Sequence, residues 1–436
     1  MVRRFLISTS ILICLMAPLQ AKLEVNTLKL TNGLQIILSP IEDISATAVL
    51  FYHRNGTRDD PPEIRGASYL YQHLMRLGTQ NLEPYDRLML VKKNGGVVVE
   101  RVNYDRSLFY QIIPNDLINN ALWLESERIL SLKLDDRAIN LQKDKISKRI
   151  LRLMKGSPHY RAVEWAKSKI FEGTAYQIPV YGDPEKITNF DNRQIKKIYG
   201  RFRNLSDAIL VIVGKYDLIE LTQFIDKHFP PSLPKGESKN RKYRTISPRT
   251  QVAFKNWLIE DLPQHFFLYG YRAPSKLSDD YFTFEFLRYY LVDERISILE
   301  KVLKRMNNLD VEISYEYTDH IEANALVIKV SSPDRVALEK AKYILNRQIQ
   351  TLMNLRQPAT EIRVVKSLME IDFAKNVAQL ESRSIMLAET LHLSGTPDLE
   401  ETHLKKIRKI TATDIIRVSK KYLNRNNLVN LNVYRK

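Results

Sequence analysis

The stretch GASYLYQHLMRLGT, Gly66 to Thr79, holds side chains whose types and spacing could do chemistry. Leu70, Leu74 and Leu77 recur at helical spacing, which predicts a helix with one apolar face. Tyr69, Gln72 and His73 stand at i, i+3 and i+4, so their side chains share the other patch. With that spacing a helix can offer two imidazoles to a metal ion and a carboxylate to a metal-bound water. Here only His73 is a histidine and none of the three is a carboxylate. A lone histidine on a helix that faces a strand is by default a hydrogen-bonded core residue.

The elements that must position this helix follow from the flanking sequence. TNGLQIILSP (Thr31 to Pro40) predicts a turn feeding a strand, and ATAVLFYHRNG (Ala46 to Gly56) a buried strand ending in a loop. A helix is expected over Glu83 to Lys93, then strands around 96–102 and 107–113, then long amphipathic helices from Leu117 through Phe171. Strands grouped and helices grouped predict an α+β fold, a mostly antiparallel sheet covered by helices.

The segment DNRQIKKIYGRFRNLSDAILVIVG predicts a helix from about Asp191 to Phe202 and a strand from Ala208 to Val213. The last residues repeat it. Ile415, Val418, Lys421, Tyr422 and Asn424 lie 220 residues after Ile195, Ile198, Arg201, Phe202 and Asn204. A constant offset through a helix, a turn and a strand signals internal duplication. The expected organisation is a leader over 1–21, a first domain over 22–229, a linker over 230–250 and a homologous second domain over 251–436. The linker, PPSLPKGESKNRKYRTISPRT, is rich in Pro, Ser and Lys.

The leader sets the compartment. Arg3 and Arg4 precede an apolar run from Phe5 to Ala17, Pro18 breaks it, and Leu19-Gln20-Ala21 offers a cleavage point. This pattern is that of a secretory signal peptide cut after Ala21, and the run is too short to span a bilayer comfortably. The single cysteine, Cys14, falls inside it, so the processed chain has neither disulfide nor thiolate. A large exported chain without disulfides points to a bacterial periplasm. The formal net charge is +17, from 67 basic and 50 acidic residues among 436. The basic residues are spread along the helices, which reads as a solvated basic surface and not as a nucleic-acid site. No later segment is long and apolar enough for a membrane span.

Several stretches together resemble the pitrilysin/insulinase family of zinc peptidases, which includes the mitochondrial processing peptidase and two-subunit bacterial periplasmic members. LTNGLQIILSP is similar to the family's opening strand, and RNGTRDDPPEIRGAS to its entry into the zinc helix. PVYGDPEKI (Pro179 to Ile187) is similar to the turn before the last helix of the half, and LSDAILVIVGKYD to its closing strand. The resemblance covers nearly all of 23–436. It implies the inverted H-x-x-E-H motif, in which two histidines and a distant glutamate bind zinc and the motif glutamate is the general base. Laid on this chain, the first histidine position holds Tyr69, the glutamate Gln72 and the second histidine His73. The distant glutamate position falls on Arg149 or Ile150.

Each replacement removes chemistry. A phenol titrating near 10 is a poor zinc ligand, an amide accepts no proton, and a guanidinium puts a fixed cation where a dication would sit. One imidazole does not hold zinc tightly. Zinc is therefore expected to be lost, and Tyr69, Gln72 and Arg149 could hydrogen-bond one another in its place. The resemblance also implies substrate-contacting positions at Val99 and Glu100, on NGGVVVERVNYDRSLFY, where relatives carry Asn-Ala. It implies two more at Lys304 and Val311, on SILEKVLKRMNNLDV, where relatives carry Arg and Tyr. Main-chain strand addition could survive these changes, whereas the side-chain grips could not.

Other chemistries find no support. The chain has no P-loop, GxGxxG or GxSxG sequence. Ser232 and Lys235 form an S-x-x-K match inside the linker, and Asp319, His320 and Glu322 read as a solvated turn. The expectation is thus an inactive member of a peptidase family, serving as the non-catalytic subunit of a periplasmic zinc peptidase. Its partner would be a related zinc-bearing chain or a second copy, and a peptide ligand is possible. A free-standing peptide- or envelope-binding protein is the alternative, and residual peptidase activity a third reading. On export the chain should begin at Lys22; N-terminal sequencing of the periplasmic protein that returned Met1 would refute the leader.

Overall fold

The computed structural model describes residues 23–238 and 241–436, so the expected leader lies outside the described residues. Among the described residues, eleven strands form two sheets. The first contains β1 (Asn26–Lys29), β2 (Gln35–Pro40), β3 (Ala46–His53), β4 (Val97–Val102), β5 (Ser107–Pro114) and β6 (Ala208–Gly214), in the order β1-β2-β6-β3-β5-β4. The second contains β7 (Ala253–Ile259), β8 (His265–Ala273), β9 (Glu312–Tyr317), β10 (Asn324–Ser332) and β11 (Leu428–Arg435), in the order β7-β11-β8-β10-β9. Both are antiparallel except for the parallel pairs β2/β6 and β7/β11. The two mostly antiparallel, helix-covered sheets are those the sequence predicts.

Among the described residues, seven helices precede the second sheet: α1 (Ala67–Leu74), α2 (Asp86–Lys93), α3 (Ile118–Leu130), α4 (Asp136–Gly156), α5 (Pro158–Ile170), α6 (Asn192–Arg203) and α7 (Leu218–His228). Seven more follow: α8 (Tyr281–Val292), the single turn α9 (Ile298–Glu300), α10 (Arg335–Asn354), α11 (Ala359–Ala378), α12 (Leu380–Ser394), the short α13 (Lys405–Lys409) and α14 (Ala412–Tyr422). The helix expected from Glu83 begins at Asp86, because Tyr85 sits in the left-handed region at φ 70° and the Asp86 carboxylate accepts from the Glu83 N–H at 2.9 Å.

The 220-residue offset runs through the coordinates. α6 and α14 start at Asn192 and Ala412, and β6 and β11 at Ala208 and Leu428. The same spacing relates two ion pairs, whose acids lie beyond the segments that revealed the repeat. Arg201 meets Asp60 at 2.5 Å, and Lys421 meets Asp280 at 2.7 Å.

Strands β3 and β6 are buried along almost their whole length, so both faces of the first sheet are covered. One face packs on helices of its own half, with Leu70 and Leu74 of α1, Leu122 of α3 and Ile195 of α6 in one core. The other face receives Leu387 and Ala388 of α12, which belongs to the second half, against Leu50, Tyr52, Ile209 and Val211. The exchange is reciprocal. Ala162, Val163, Ala166 and Ile170 of α5 pack on Phe266, Leu268, Val429 and Leu431 of the second sheet. Gly270 permits that contact, since a Cβ there would lie 2.6 Å from Cδ1 of Ile170.

Between the halves, the 230–250 segment carries no helix or strand among its described residues. It makes fixed contacts: the Arg244 N–H donates to Oε1 of Glu322 at 2.8 Å, and the Arg249 N–H to Oδ1 of Asn427 at 2.8 Å. Asp319, His320 and Glu322, expected in a solvated turn, sit instead at the junction, where His320 and Glu322 are buried. Each half's core thus includes a helix of the other. Truncating Leu387 to Ala should destabilise the protein by about 2–5 kcal/mol. Hydrogen exchange should show the lost protection in β3 and β6 of the first half; loss confined to the second half would contradict the exchange.

Candidate functional site

Helix α1 is aimed from its N-terminus. The buried Asp60 carboxylate accepts from the N–H groups of Gly66 and Ser68 at 3.1 and 3.0 Å, and from the Ser68 hydroxyl at 2.6 Å. Burial raises the pKa of Asp60, although Arg201 and Ser68 pull the other way. Gly66 then adopts φ 103°, and its missing Cβ would sit 2.5 Å from the Tyr181 carbonyl oxygen. Gly182 mirrors it at φ 77°, with the Arg65 carbonyl 2.0 Å from its missing Cβ. The GAS and YGDP stretches therefore pack backbone to backbone, which only two glycines in left-handed conformations permit.

So placed, α1 carries Tyr69, Gln72 and His73 toward α4 and the edge strand β4. Nη2 of Arg149 donates to the Tyr69 hydroxyl at 2.6 Å. Of the two residues offered for the distant ligand position, Arg149 is the one brought to Tyr69; Ile150 is buried in the core. Gln72 turns the other way: its Oε1 accepts from the Val102 N–H at 2.9 Å. His73 stacks edge-on against Tyr69, ring centroids 5.2 Å apart, and its buried Nε2 has no hydrogen-bond partner. Burial lowers its pKa to about 4, with Arg149 and Arg76 adding to the shift, so the ring is neutral at pH 7. The residues do not form the mutual hydrogen-bonded set the sequence suggested. Tyr69 and Arg149 pair, Gln72 serves the strand, and His73 is enclosed by packing.

Behind Tyr69 lies an aromatic and acidic layer to which the sequence gave no role. Tyr181 meets Tyr69 edge-on, ring centroids 6.4 Å apart, and donates to Oε2 of Glu164 at 3.1 Å. Burial raises the pKa of Glu164 and pushes Tyr160 up to about 12. Tyr181 lies in the PVYGDPEKI stretch, but nothing in the residue pattern joins it to a glutamate on α5.

Strand β4 is a sheet edge. Asn103 N donates to Arg106 O at 2.9 Å, so in this antiparallel ladder 97, 99 and 101 also face β5, while Val98, Glu100 and Val102 turn their main-chain groups outward. Gln72 occupies the Val102 donor and leaves Val98 and Glu100 as the free part of the edge. The Glu100 side chain is held on the helix side by Arg76 at 2.6 Å and by Arg87. Val99 points to the opposite face and packs beside the core that holds Tyr52 and Leu387. Lys304 is engaged by Glu300, one helical turn earlier, at 3.1 Å, and Val311 is buried in the second core.

A catalytic zinc ion takes three protein donors and a water. Here the candidate donors are a phenol engaged by a guanidinium, an amide engaged by a strand, and one imidazole, with a fixed cation at the remaining corner. The residues present do not fit zinc. Among the described residues, no group of three or more His, Cys, Asp or Glu side chains is placed to hold a metal ion.

Comparison with known proteins agrees with the fold. Residues 189–369 match the family described as "Peptidase M16 inactive domain". The zinc protease PqqE of Helicobacter pylori is 22% identical over 97% of this chain and 96% of its own. The crystal structure of a protease from Helicobacter pylori superposes with a TM-score of 0.85 at 17% identity, covering 94% of this chain and 99% of that one. The periplasmic protease PqqL of Escherichia coli gives 0.76 at 13% identity, over 94% of this chain but 47% of its own. At such identities the structural likeness is one of fold.

The environment of His73 fixes a pH response. Its folded pKa of about 4 lies below the ordinary 6.5, so the unfolded chain binds the proton first as pH falls. The stability at stake is complete above 6.5 and is lost as pH drops through the window from 6.5 to 4. Arg149→Gln removes one repulsive cation and should raise the His73 pKa, still below 6.5 because burial is the larger cause. An NMR titration that put His73 at or above 6.5 in the parent protein would contradict its enclosed position.

Proposed function

We propose that this chain, a pitrilysin/insulinase-type (M16) peptidase relative, has no peptidase chemistry of its own and acts as the non-catalytic partner of a zinc-bearing relative in the periplasm. Its part is to supply chamber wall and peptide contacts. The observation that carries this reading is the 2.6 Å bond from Arg149 to Tyr69. It fills the zinc corner with a tethered cation and a phenol. Gln72 supports it, because the residue at the general-base position is an amide spent on the Val102 N–H. No proton acceptor is left where a water would need activating.

The free part of β4 favours a second role. Val98 and Glu100 offer outward main-chain groups, so an extended peptide could add as a strand there without any zinc. A free-standing peptide-binding protein would use the same edge. Residual zinc peptidase activity finds no donor set to support it.

Purified from the envelope, the chain should hold less than about a tenth of an equivalent of zinc and co-purify with a zinc-bearing relative. That relative's peptidase activity should fall when this chain is withdrawn. Elemental analysis giving near-stoichiometric zinc that His73→Ala abolishes would refute the reading. A monomer whose deletion leaves the relative's activity unchanged would leave the free-standing binding protein.

A further inference from the structure

The repeat builds both sheets, yet their orders leave one position unfilled. Strands β2, β6, β3, β5 and β4 correspond to β7, β11, β8, β10 and β9, while β1 has no counterpart. Among the described residues no strand pairs with the outer edge of β7. Register fixes the equivalence. Gln35 pairs with Ile209 and Ala253 with Val429, which lies 220 residues after Ile209, so Ile36 and Leu38 match Phe254 and Asn256. In the first sheet Ile36 and Leu38 are buried; in the second, Phe254 is 59% exposed and Leu258 63%.

The main chain of this edge is also open. Lys436 N donates to Ile259 O at 3.1 Å, so in the parallel ladder Ile259, Trp257, Lys255 and Ala253 turn their amides and carbonyls toward β11. Phe254, Asn256 and Leu258 turn theirs outward, as Ile36 does toward β1. A row of unpaired donors and acceptors bordered by large apolar side chains is a template for another strand. At the other sheet edges β4 carries Glu100 and Arg101, β9 carries Glu312 and Glu316, and the four-residue β1 carries Lys29; β7 has Lys255 alone among its seven residues. The same face leaves Oδ1 of Asn430 and of Asn432 buried without a partner.

We infer that β7 pairs with β7 of a second copy of this chain, antiparallel about a two-fold axis at Asn256, joining two five-stranded sheets into one of ten strands. The sequence AFKNWLI complements itself in this register. Phe254 faces Leu258 of the partner subunit, Asn256 faces its own copy, and Ala253 faces Ile259 of the partner subunit. Lys255 faces Trp257 of the partner subunit, a cation over an indole, and its Nζ already lies 6.0 Å from the Trp257 ring in its own strand. Neighbouring registers are worse. A shift one way sets two Lys255 side chains directly opposite, and a shift the other way sets Phe254 against Glu260 of the partner subunit. An unrelated strand would satisfy the main chain without this match. The contact is isologous and closes at two copies. It lies away from α1, so it holds whether or not the zinc reading does.

The chain starting at Lys22 contains no cysteine, which makes the register directly readable. Sedimentation equilibrium should show a dimer, and Asn256→Cys should form a disulfide-linked dimer on mild oxidation. Facing residues in a hydrogen-bonded pair lie about 5.5 Å apart, within disulfide reach. Phe254→Cys alone should not cross-link, whereas Phe254→Cys with Leu258→Cys should. Phe254→Lys with Leu258→Lys should weaken the dimer at least ~tenfold with an unchanged circular dichroism melt, since both side chains are exposed. A monomer at about 100 µM, far above the range of stable dimers, would overturn the inference. So would a dimer indifferent to the two lysines, or Phe254→Cys cross-linking as readily as Asn256→Cys.

Discussion

Arg106 is the residue around which the two halves are arranged. Its side chain is 2% exposed, and a guanidinium so buried must meet acids or destabilise the fold by several kcal/mol. Both acids come from the other half: Asp319 from the turn before β10, and Glu389 of α12 at 3.2 Å. Lys276 binds the same two acids, at 2.7 Å from Glu389. Beside it Arg58 joins Asp105 and Glu322, each at 2.9 Å, while the Tyr176 hydroxyl donates to Asp105 at 2.8 Å. Satisfying Arg106 therefore brings α12 to the first sheet, where Leu387 and Ala388 complete its second core. Against the opposing effect of burial, the pull of Arg106 and Lys276 holds Asp319 well below the usual carboxylate range.

This cluster explains what the sequence could and could not say. The sheets, helices and duplication were legible because they rest on local periodicity, and a constant offset survives divergence of individual residues. The junction was not. Asp319, His320 and Glu322 read as a polar turn because their first-half partners, Arg106, Arg58 and Tyr176, lie more than 140 residues away. The exchange of α5 and α12 was hidden for the same reason: an amphipathic helix shows that it has a buried face, not which sheet receives it.

The α1 site was legible by a different route. Positions 69, 72, 73 and 149 could be named from resemblance, and the coordinates bring Tyr69 and Arg149 together. What resemblance could not supply was how the replacements are used. That Gln72 reaches away from its helix neighbours to the β4 edge follows from the sheet position of Val102, and that Arg76 and Arg87 capture Glu100 follows from the packing of α2 against β4.

The same geometry shows why the fold holds while the zinc residues differ. What aims α1 is Asp60 with its four donors and the backbone contact of Gly66 with Gly182, and none of these involves a metal ligand. Burial and the positive charge of Arg149 and Arg76 keep His73 neutral, the protonation state a bound dication would also impose. Gln72 accepts a strand N–H without adding a buried negative charge that would then need a cation of its own. Each replacement answers a local electrostatic demand, so the helix packs against β4 without a metal, and the outward main-chain groups of Val98 and Glu100 remain open to a peptide.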